Sequence, residues 1–132
     1  MKSTFSLTEQ HVTLCQQYVE LLHSIEEALL YIDESFTNLK KTEAERLKAD
    51  IFKAFVQIGE TNGVLRQIFS DKDEAVVQAV QAFDTVLKET ILFNELVGDS
   101  RFKQDYFQQK LVPTFQQWSN QIKESFQPYI QH

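Results

Sequence analysis

The chain has 132 residues, 42% of them apolar, with eleven Phe but only three Gly and two Pro, which favours one domain of long regular elements. A single cysteine excludes an internal disulfide, and no apolar run is long enough for a signal peptide or a membrane span, so a cytoplasmic protein is expected. The net charge of -6 argues against nucleic acid and anionic membranes as partners.

An unbroken apolar repeat predicts the first helix, over residues 6–37. Apolar side chains recur at alternating steps of three and four, which places them on one face of a helix. Ser6 and Glu9 have the spacing of a reciprocal capping box, so the helix is expected to begin at Ser6. The main repeat is Cys15, Tyr18, Leu22, Ile25, Leu29, Ile32 and Phe36, and a second apolar column beside it is Leu14, Leu21 and Ala28.

The same repeat predicts a second helix over residues 43–69. Thr42 and Glu45 repeat the capping-box spacing at its start. Gly59 and Gly63 weaken the middle of this segment by about 1 kcal/mol each relative to Ala. Because the apolar repeat resumes in register after them, we expect a continuous but locally soft helix.

Two further helices are predicted over residues 71–97 and 100–127. Ser70 or Asp71 is expected to cap the third helix, since both side chains can accept hydrogen bonds from free backbone amides. The fourth helix is expected to be kinked near Pro113, because an interior proline removes a backbone hydrogen bond.

The four predicted helices are similar in length and are joined by only a few residues. Short links force consecutive helices to run antiparallel, and four amphipathic helices bury their apolar faces most simply against one another. The sequence therefore predicts an all-α fold, an up-down-up-down antiparallel four-helix bundle that forms one domain over residues 1–132.

Two patterns that could carry chemistry have simpler structural interpretations. Glu20 and His23 have the spacing of one half of a di-iron site in a helical bundle, but no second Glu-x-x-His occurs and both residues fall opposite the apolar face. Cys15 has no Lys or Arg on its own helix to activate the thiol, so a buried structural role is expected. No catalytic residue, metal or cofactor is predicted, and an enzyme is not expected.

Acidic residues dominate the outer face of the first helix. Between Ser3 and Leu39 the chain has six Asp or Glu and no Lys or Arg. Glu20, Glu27 and Glu34 are spaced by seven and form a column on that face. They are the candidate partner-binding residues, and a merely hydrated surface is the alternative interpretation.

Three functions are compatible with these features. The leading hypothesis is a non-enzymatic protein-protein interaction module, such as an adaptor, a small chaperone or a regulator, that binds a protein partner or self-associates as a homodimer. Its basis is the wide apolar arc of the first helix. An internal small-molecule or metal site near Thr61, Asn62, Thr90 and Asn94 is the alternative. An acidic mimic that occupies a basic partner is the third hypothesis.

The helix pattern as a whole resembles that of small bacterial helical-bundle proteins. This resemblance rests on the pattern alone, and it implies no functional residue for the chain.

Overall fold

The computed structural model describes residues 6–38, 43–96 and 100–130, and within these ranges every regular element is a helix. The predicted all-α four-helix bundle is confirmed. The elements are α1 (Glu9–Ser35), α2 (Ala44–Phe69), α3 (Glu74–Gln81), α4 (Phe83–Glu95), α5 (Ser100–Tyr106), the π-helical turn (Phe107–Leu111) and α6 (Val112–Ile130). They form four rods: α1 is the first, α2 the second, α3 with α4 the third, and α5, the π-helical turn and α6 the fourth.

The rods alternate in direction around a shared core. The first rod packs against the second and the fourth, and the third rod also packs between the second and the fourth. Contacts join the beginning of one rod to the end of its neighbour: the Tyr18 hydroxyl bonds to Asn62, and the Tyr129 hydroxyl bonds to Asp73. Such pairings require antiparallel neighbours, as the short links predict.

The helix caps differ from the predicted ones. The hydroxyl of Thr8, and not that of Ser6, accepts a hydrogen bond from the backbone N–H of His11 at 3.1 Å, and α1 begins at Glu9. Ser6 and Thr8 both have a side-chain oxygen that can cap a helix, so the sequence alone leaves the start of α1 uncertain by two residues. The predicted cap at Thr42 lies outside the described residues.

The third rod also begins later than predicted. Asp73 caps α3 by accepting hydrogen bonds from the backbone N–H groups of Ala75 and Val76. Ser70 and Asp71 instead belong to the turn after α2, where Asp71 has a φ of 62°. A residue with this left-handed backbone cannot continue a right-handed helix, so the chain turns there before α3 begins.

The predicted third helix is divided into α3 and α4 at Ala82. The indole N–H of Trp118 donates to the backbone carbonyl of Ala79 at 2.9 Å. In a continuous α-helix that carbonyl would accept from Phe83, so the bond from Trp118 competes with the helical one. The neighbouring N–H of Thr85 bonds to Ala82 over three residues, which tightens the junction.

Near Pro113, where a kink is predicted, the structure has the π-helical turn. The backbone N–H of Val112 donates to the carbonyl of Phe107, five residues earlier. This wider turn shifts the register by one residue and keeps both Phe107 and Leu111 buried. The fourth rod extends beyond the predicted end at residue 127, because α6 continues through Pro128 to Ile130.

The core of the bundle is rich in aromatic side chains, which are nine of its 23 buried apolar residues within the described ranges. Six of the seven residues in the main repeat of α1 are buried, and only Phe36 is half-buried. The rings of Phe83 and Trp118 have centroids 4.7 Å apart, and those of Tyr18 and Phe126 are 5.5 Å apart at a steep angle. The first pair is tilted and the second is edge-on, a geometry that aromatic rings favour. The second apolar column of α1, Leu14, Leu21 and Ala28, packs against this core.

Replacing Phe126 by Ala should lower the free energy of unfolding by about 3–5 kcal/mol, because Phe126 is fully buried and its loss leaves a cavity. The matched control is Phe102→Ala, at a side chain that is 54% exposed, where a loss below about 1 kcal/mol is expected. Urea unfolding followed by circular dichroism measures both. Equal losses for the two variants would contradict this core.

Candidate functional site

The three candidate partner-binding residues are exposed on the outer side of α1. Glu20, Glu27 and Glu34 all have solvent-accessible side chains, as their register predicts. Successive members are two helical turns apart, about 10 Å along the axis, so they form a line of separate charges. Their role in binding a partner stays a prediction.

Asn62 is a structural polar residue of the core. Its side-chain oxygen accepts a hydrogen bond from the hydroxyl of Tyr18 at 2.7 Å, and both side chains are buried. Burial also raises the pKa of Tyr18 well above its ordinary value, so the hydroxyl keeps its proton and remains a donor. The hydrogen bond joins α1 to α2. If one of the two residues were replaced by an apolar one, the polar group of the other would be left buried without a hydrogen-bond partner, which costs free energy of desolvation.

The other polar interruptions of the second and third rods do not join Asn62. Thr90 is buried and donates to the backbone carbonyl of Val86 at 2.8 Å, whereas Asn94 is exposed and Thr61 is half-buried. Asn62 and Thr90 line two separate cavities. Among the described residues, every buried side-chain polar atom has a hydrogen-bond partner. The structure therefore does not bring these four residues together in one site.

Cys15, Glu20 and His23 lie where their structural interpretations place them. Cys15 is fully buried, and burial raises the pKa of its thiol to about 11, so it stays protonated at neutral pH. Glu20 and His23 are exposed on the outer side of α1. Within the described ranges, no group of three or more His, Cys, Asp or Glu side chains could hold a metal ion.

A groove of about 270 Å³ runs between α1 and the fourth rod, and we call it the Leu30 groove. Leu30 is its most unusual feature, because 59% of this leucine is exposed although it borders a packed interface. Leu29, Leu30 and Val112 form the apolar floor, and Glu26, Asp33, Gln108 and Gln116 form the polar rim.

The rim of the Leu30 groove is held by hydrogen bonds between the two rods. One carboxylate oxygen of Glu26 accepts from the Lys123 ammonium at 2.5 Å and from the Ser119 hydroxyl at 2.7 Å. At the other end of the groove, Asp33 accepts from the side-chain amide of Gln108. These bonds fix the position of the rim relative to the floor.

The charge of Glu26 is stabilised by its partners. Burial alone would raise its pKa, but the hydrogen bonds from Lys123 and Ser119, together with the positive charge of Lys123, outweigh burial. The pKa of Glu26 therefore lies below its ordinary value. His23 adds a weaker attraction, with Nδ1 at 4.0 Å from the carboxylate.

Leu30 is surrounded by acidic residues along its own helix. The positions three and four residues before and after it are Glu26, Glu27, Asp33 and Glu34. Residues at these spacings are neighbours on a helical surface. Sequence reasoning missed the arrangement because it grouped the acids by a seven-residue spacing. The sequence feature that indicates this arrangement is a leucine outside the apolar repeat, with acidic residues at all four neighbouring positions on the helix.

A larger depression, of about 710 Å³, lies where the first rod begins, beside α3 and the end of α6. Two of its polar groups, Asp73 and Tyr129, have structural roles. Asp73 caps α3 and also accepts a hydrogen bond from the hydroxyl of Tyr129. Lys72, Glu74 and Glu124 also line this depression, and the Leu30 groove differs from it by its exposed leucine.

Comparison with known proteins places the chain in a family. Residues 13–121 match the family model described as a domain of unknown function, DUF8042. The chain belongs to the DUF8042 family. This DUF8042 chain is also similar to the uncharacterized protein YvzG of Bacillus subtilis (strain 168), with 30% identity over 121 residues that cover 89% of this chain and 93% of the relative. No solved structure matches it.

The family match includes the candidate site, because every lining residue of the Leu30 groove lies within residues 13–121 of this DUF8042 chain.

None of the helices in its described ranges is long and apolar enough to cross a membrane.

Replacing Glu26 by Gln should lower the free energy of unfolding by about 1 kcal/mol at pH 7, because Gln carries no charge to pair with Lys123. The folded-state pKa of Glu26 is lowered, so this stabilisation is present above the ordinary pKa of Glu. It is lost as the pH falls through the folded-state pKa. The difference between wild type and variant should therefore shrink below about pH 4.

Urea unfolding at pH 7 and at pH 3 measures this effect. Glu27→Gln is the matched control, since it removes the same charge from an exposed position on the same helix. We expect it to change the free energy of unfolding by less than about 0.5 kcal/mol. A Glu26→Gln effect of the same size at both pH values would show that the ion pair is not its cause.

Proposed function

We propose that this protein is a non-enzymatic protein-protein interaction module, with an adaptor, chaperone-like or regulatory role. The observation that carries the proposal is the Leu30 groove, where a leucine with 59% of its surface exposed lies between hydrogen-bonded polar rims. Exposed apolar surface enclosed by polar residues is typical of binding sites for other proteins.

The structural roles of the buried polar side chains support a function that is carried out at the protein surface. The buried groups that could perform chemistry have structural partners: Tyr18 bonds to Asn62, and Ser119 bonds to Glu26. Cys15 is enclosed in the core as a protonated thiol. An enzyme requires reactive groups that a substrate can reach, whereas these groups hold helices together.

Leu30 differs in its setting from the other exposed apolar residues. Val56 and Val64 lie on α2, and Ile91 and Leu92 are neighbouring exposed residues on α4. Val64 lines a depression whose other lining residues are polar or Gly, and none of these four residues lines the Leu30 groove. Scattered exposed apolar residues are normal on protein surfaces, so they carry no argument for binding.

The size of the groove favours a protein side chain over a metabolite. Its volume of about 270 Å³ lies at the lower limit of ligand pockets, which span roughly 300–1,000 Å³. A groove of this size suits a small number of anchoring side chains from a larger partner.

The proposal is tested by two measurements on the full chain. Light scattering over a hundredfold range of concentration measures self-association, and affinity capture from the native cell with quantitative mass spectrometry measures partners. We expect either a concentration-dependent dimer or a protein recovered in stoichiometric amount. A strict monomer for which no protein is enriched over the tag control would contradict the proposal.

A further inference from the structure

We infer that two copies of this chain associate through the outward-facing side of α2, packed antiparallel around Val56. Lys53 of each copy pairs with Glu60 of the other, and the two Val56 side chains meet at the two-fold axis. This inference goes beyond the proposed interaction role, because it names a second copy as the partner and uses residues that do not line the Leu30 groove.

The side of α2 opposite the core is uncovered. The six buried residues of this helix recur at steps of three and four, and the six residues that lie two positions before them recur in the same way on the other side. Within the described ranges, five of these outer residues are exposed and Gly63 is half-buried. We call them the α2 outer face: Ala49, Lys53, Val56, Glu60, Gly63 and Gln67.

Val56 is the apolar centre of the α2 outer face. Its side chain is 64% exposed, and exposure alone gives a single valine no role. Its setting differs from that of a scattered apolar residue, because Lys53 lies three residues before it and Glu60 four residues after it. Residues at these spacings are neighbours on a helical surface. An apolar centre between charged residues is the arrangement of an interface core and its rim.

The charges of Lys53 and Glu60 are available to a partner. Both side chains are exposed, and neither forms an ion pair or a side-chain hydrogen bond in the part of the chain that the structure describes. Asp50 lies one turn before Lys53 but does not pair with it, whereas Arg46 pairs with Glu43 at 2.8 Å on the same helix. The α2 outer face therefore carries one unpaired charge of each sign on either side of Val56.

The order of these charges is complementary to itself when the two helices run antiparallel. An antiparallel copy reverses the order along the axis, so Lys53 of each copy faces Glu60 of the other. A parallel copy would place each charge against the same charge, which is unfavourable. Homodimers are most often two-fold symmetric, and antiparallel packing about Val56 has this symmetry. The charge pattern therefore favours a second copy of this chain as the occupant.

The surface beside Val56 leaves room for a second helix. A shallow depression of about 500 Å³ lies around Gly63, and a Cβ atom added to this glycine would meet no atom within 4 Å. In the antiparallel arrangement Ala49 of the other copy lies opposite Gly63, since both are seven residues from Val56. Small side chains at a contact allow two helices to pack closely. The other lining residues of the depression are Glu60, Val64, Arg66, Gln67 and Ser70.

Sedimentation equilibrium of the full chain between about 10 μM and 1 mM measures this dimer. One helix from each copy forms a small interface, so we expect a Kd on the order of 100 μM. The Kd should rise when the salt concentration is raised from about 50 to 500 mM, because salt screens the ion pairs.

Charge reversal at Lys53 tests the pairing with Glu60. Lys53→Glu should raise the Kd about tenfold or more, since it places like charges together at two symmetric positions. The matched control is Lys88→Glu, which makes the same change of net charge at an exposed position on α4 and should leave the Kd within about twofold.

Combined substitutions separate pairing from net charge. A chain with both Lys53→Glu and Glu60→Lys has the net charge of the wild type and again places opposite charges together, so its Kd should lie within about threefold of the wild-type value. An equal mixture of the two single variants should form a heterodimer more tightly than either variant associates with itself. This result requires both charges to lie in one interface.

A further pair of variants tests the apolar centre. Val56→Ser should raise the Kd at least about fivefold, whereas Leu92→Ser, at a leucine 48% exposed on α4, should leave it within about twofold. Because every substituted position is exposed, thermal unfolding should show that all of these variants fold.

A chain that stays monomeric at about 1 mM would overturn the inference. So would equal effects of Lys53→Glu and Lys88→Glu, or a dimer that the double substitution fails to restore. A dimer that is lost in Leu30→Ser and kept in Val56→Ser would place the second copy at the Leu30 groove, which also contradicts the inference. If the chain is a monomer and capture recovers a different protein in stoichiometric amount, this inference fails while the proposed interaction role stands.

Discussion

The continuous apolar stripe of α1 is the feature on which the rest of the structure depends. From Cys15 to Ile32 it exposes almost nothing to solvent, because the second and fourth rods pack on its two sides. Burial of such a stripe is the main favourable contribution to folding, and it also decides where the remaining surface of α1 can lie. The acidic outer face and the exposed Leu30 are what remains once the stripe is covered.

Much of this fold follows from helical periodicity, and the break in the third rod accompanies a contact between distant residues. The apolar repeat identifies all four rods, and α2 is continuous through Gly59 as expected. The break at Ala82 could not be predicted from local sequence, because it accompanies a hydrogen bond from Trp118, 39 residues away from Ala79. The cap at Asp73 is also supported from a distance, by the hydroxyl of Tyr129.

The candidate site was only partly visible in the sequence. The acidic character of α1 and the exposure of Glu27 follow from composition and register, but the groove depends on where the fourth rod lies beside α1. Gln108 lies in the π-helical turn of that rod, and no residue pattern in α1 indicates that Gln108 lines the groove. The wide apolar arc that suggested a shared interface is largely covered by the chain itself, so the case for a partner at α1 now rests on Leu30.

The central claim is that one chain covers the α1 stripe and leaves the Leu30 groove open. Hydrogen exchange followed by mass spectrometry at several protein concentrations tests this claim most directly. We expect backbone amides between Cys15 and Ile32 to exchange as slowly as those of α6, at a rate that is independent of protein concentration. Exchange in α1 that is much faster than in α6, or that becomes slow only at high concentration, would mean that another molecule must cover the stripe.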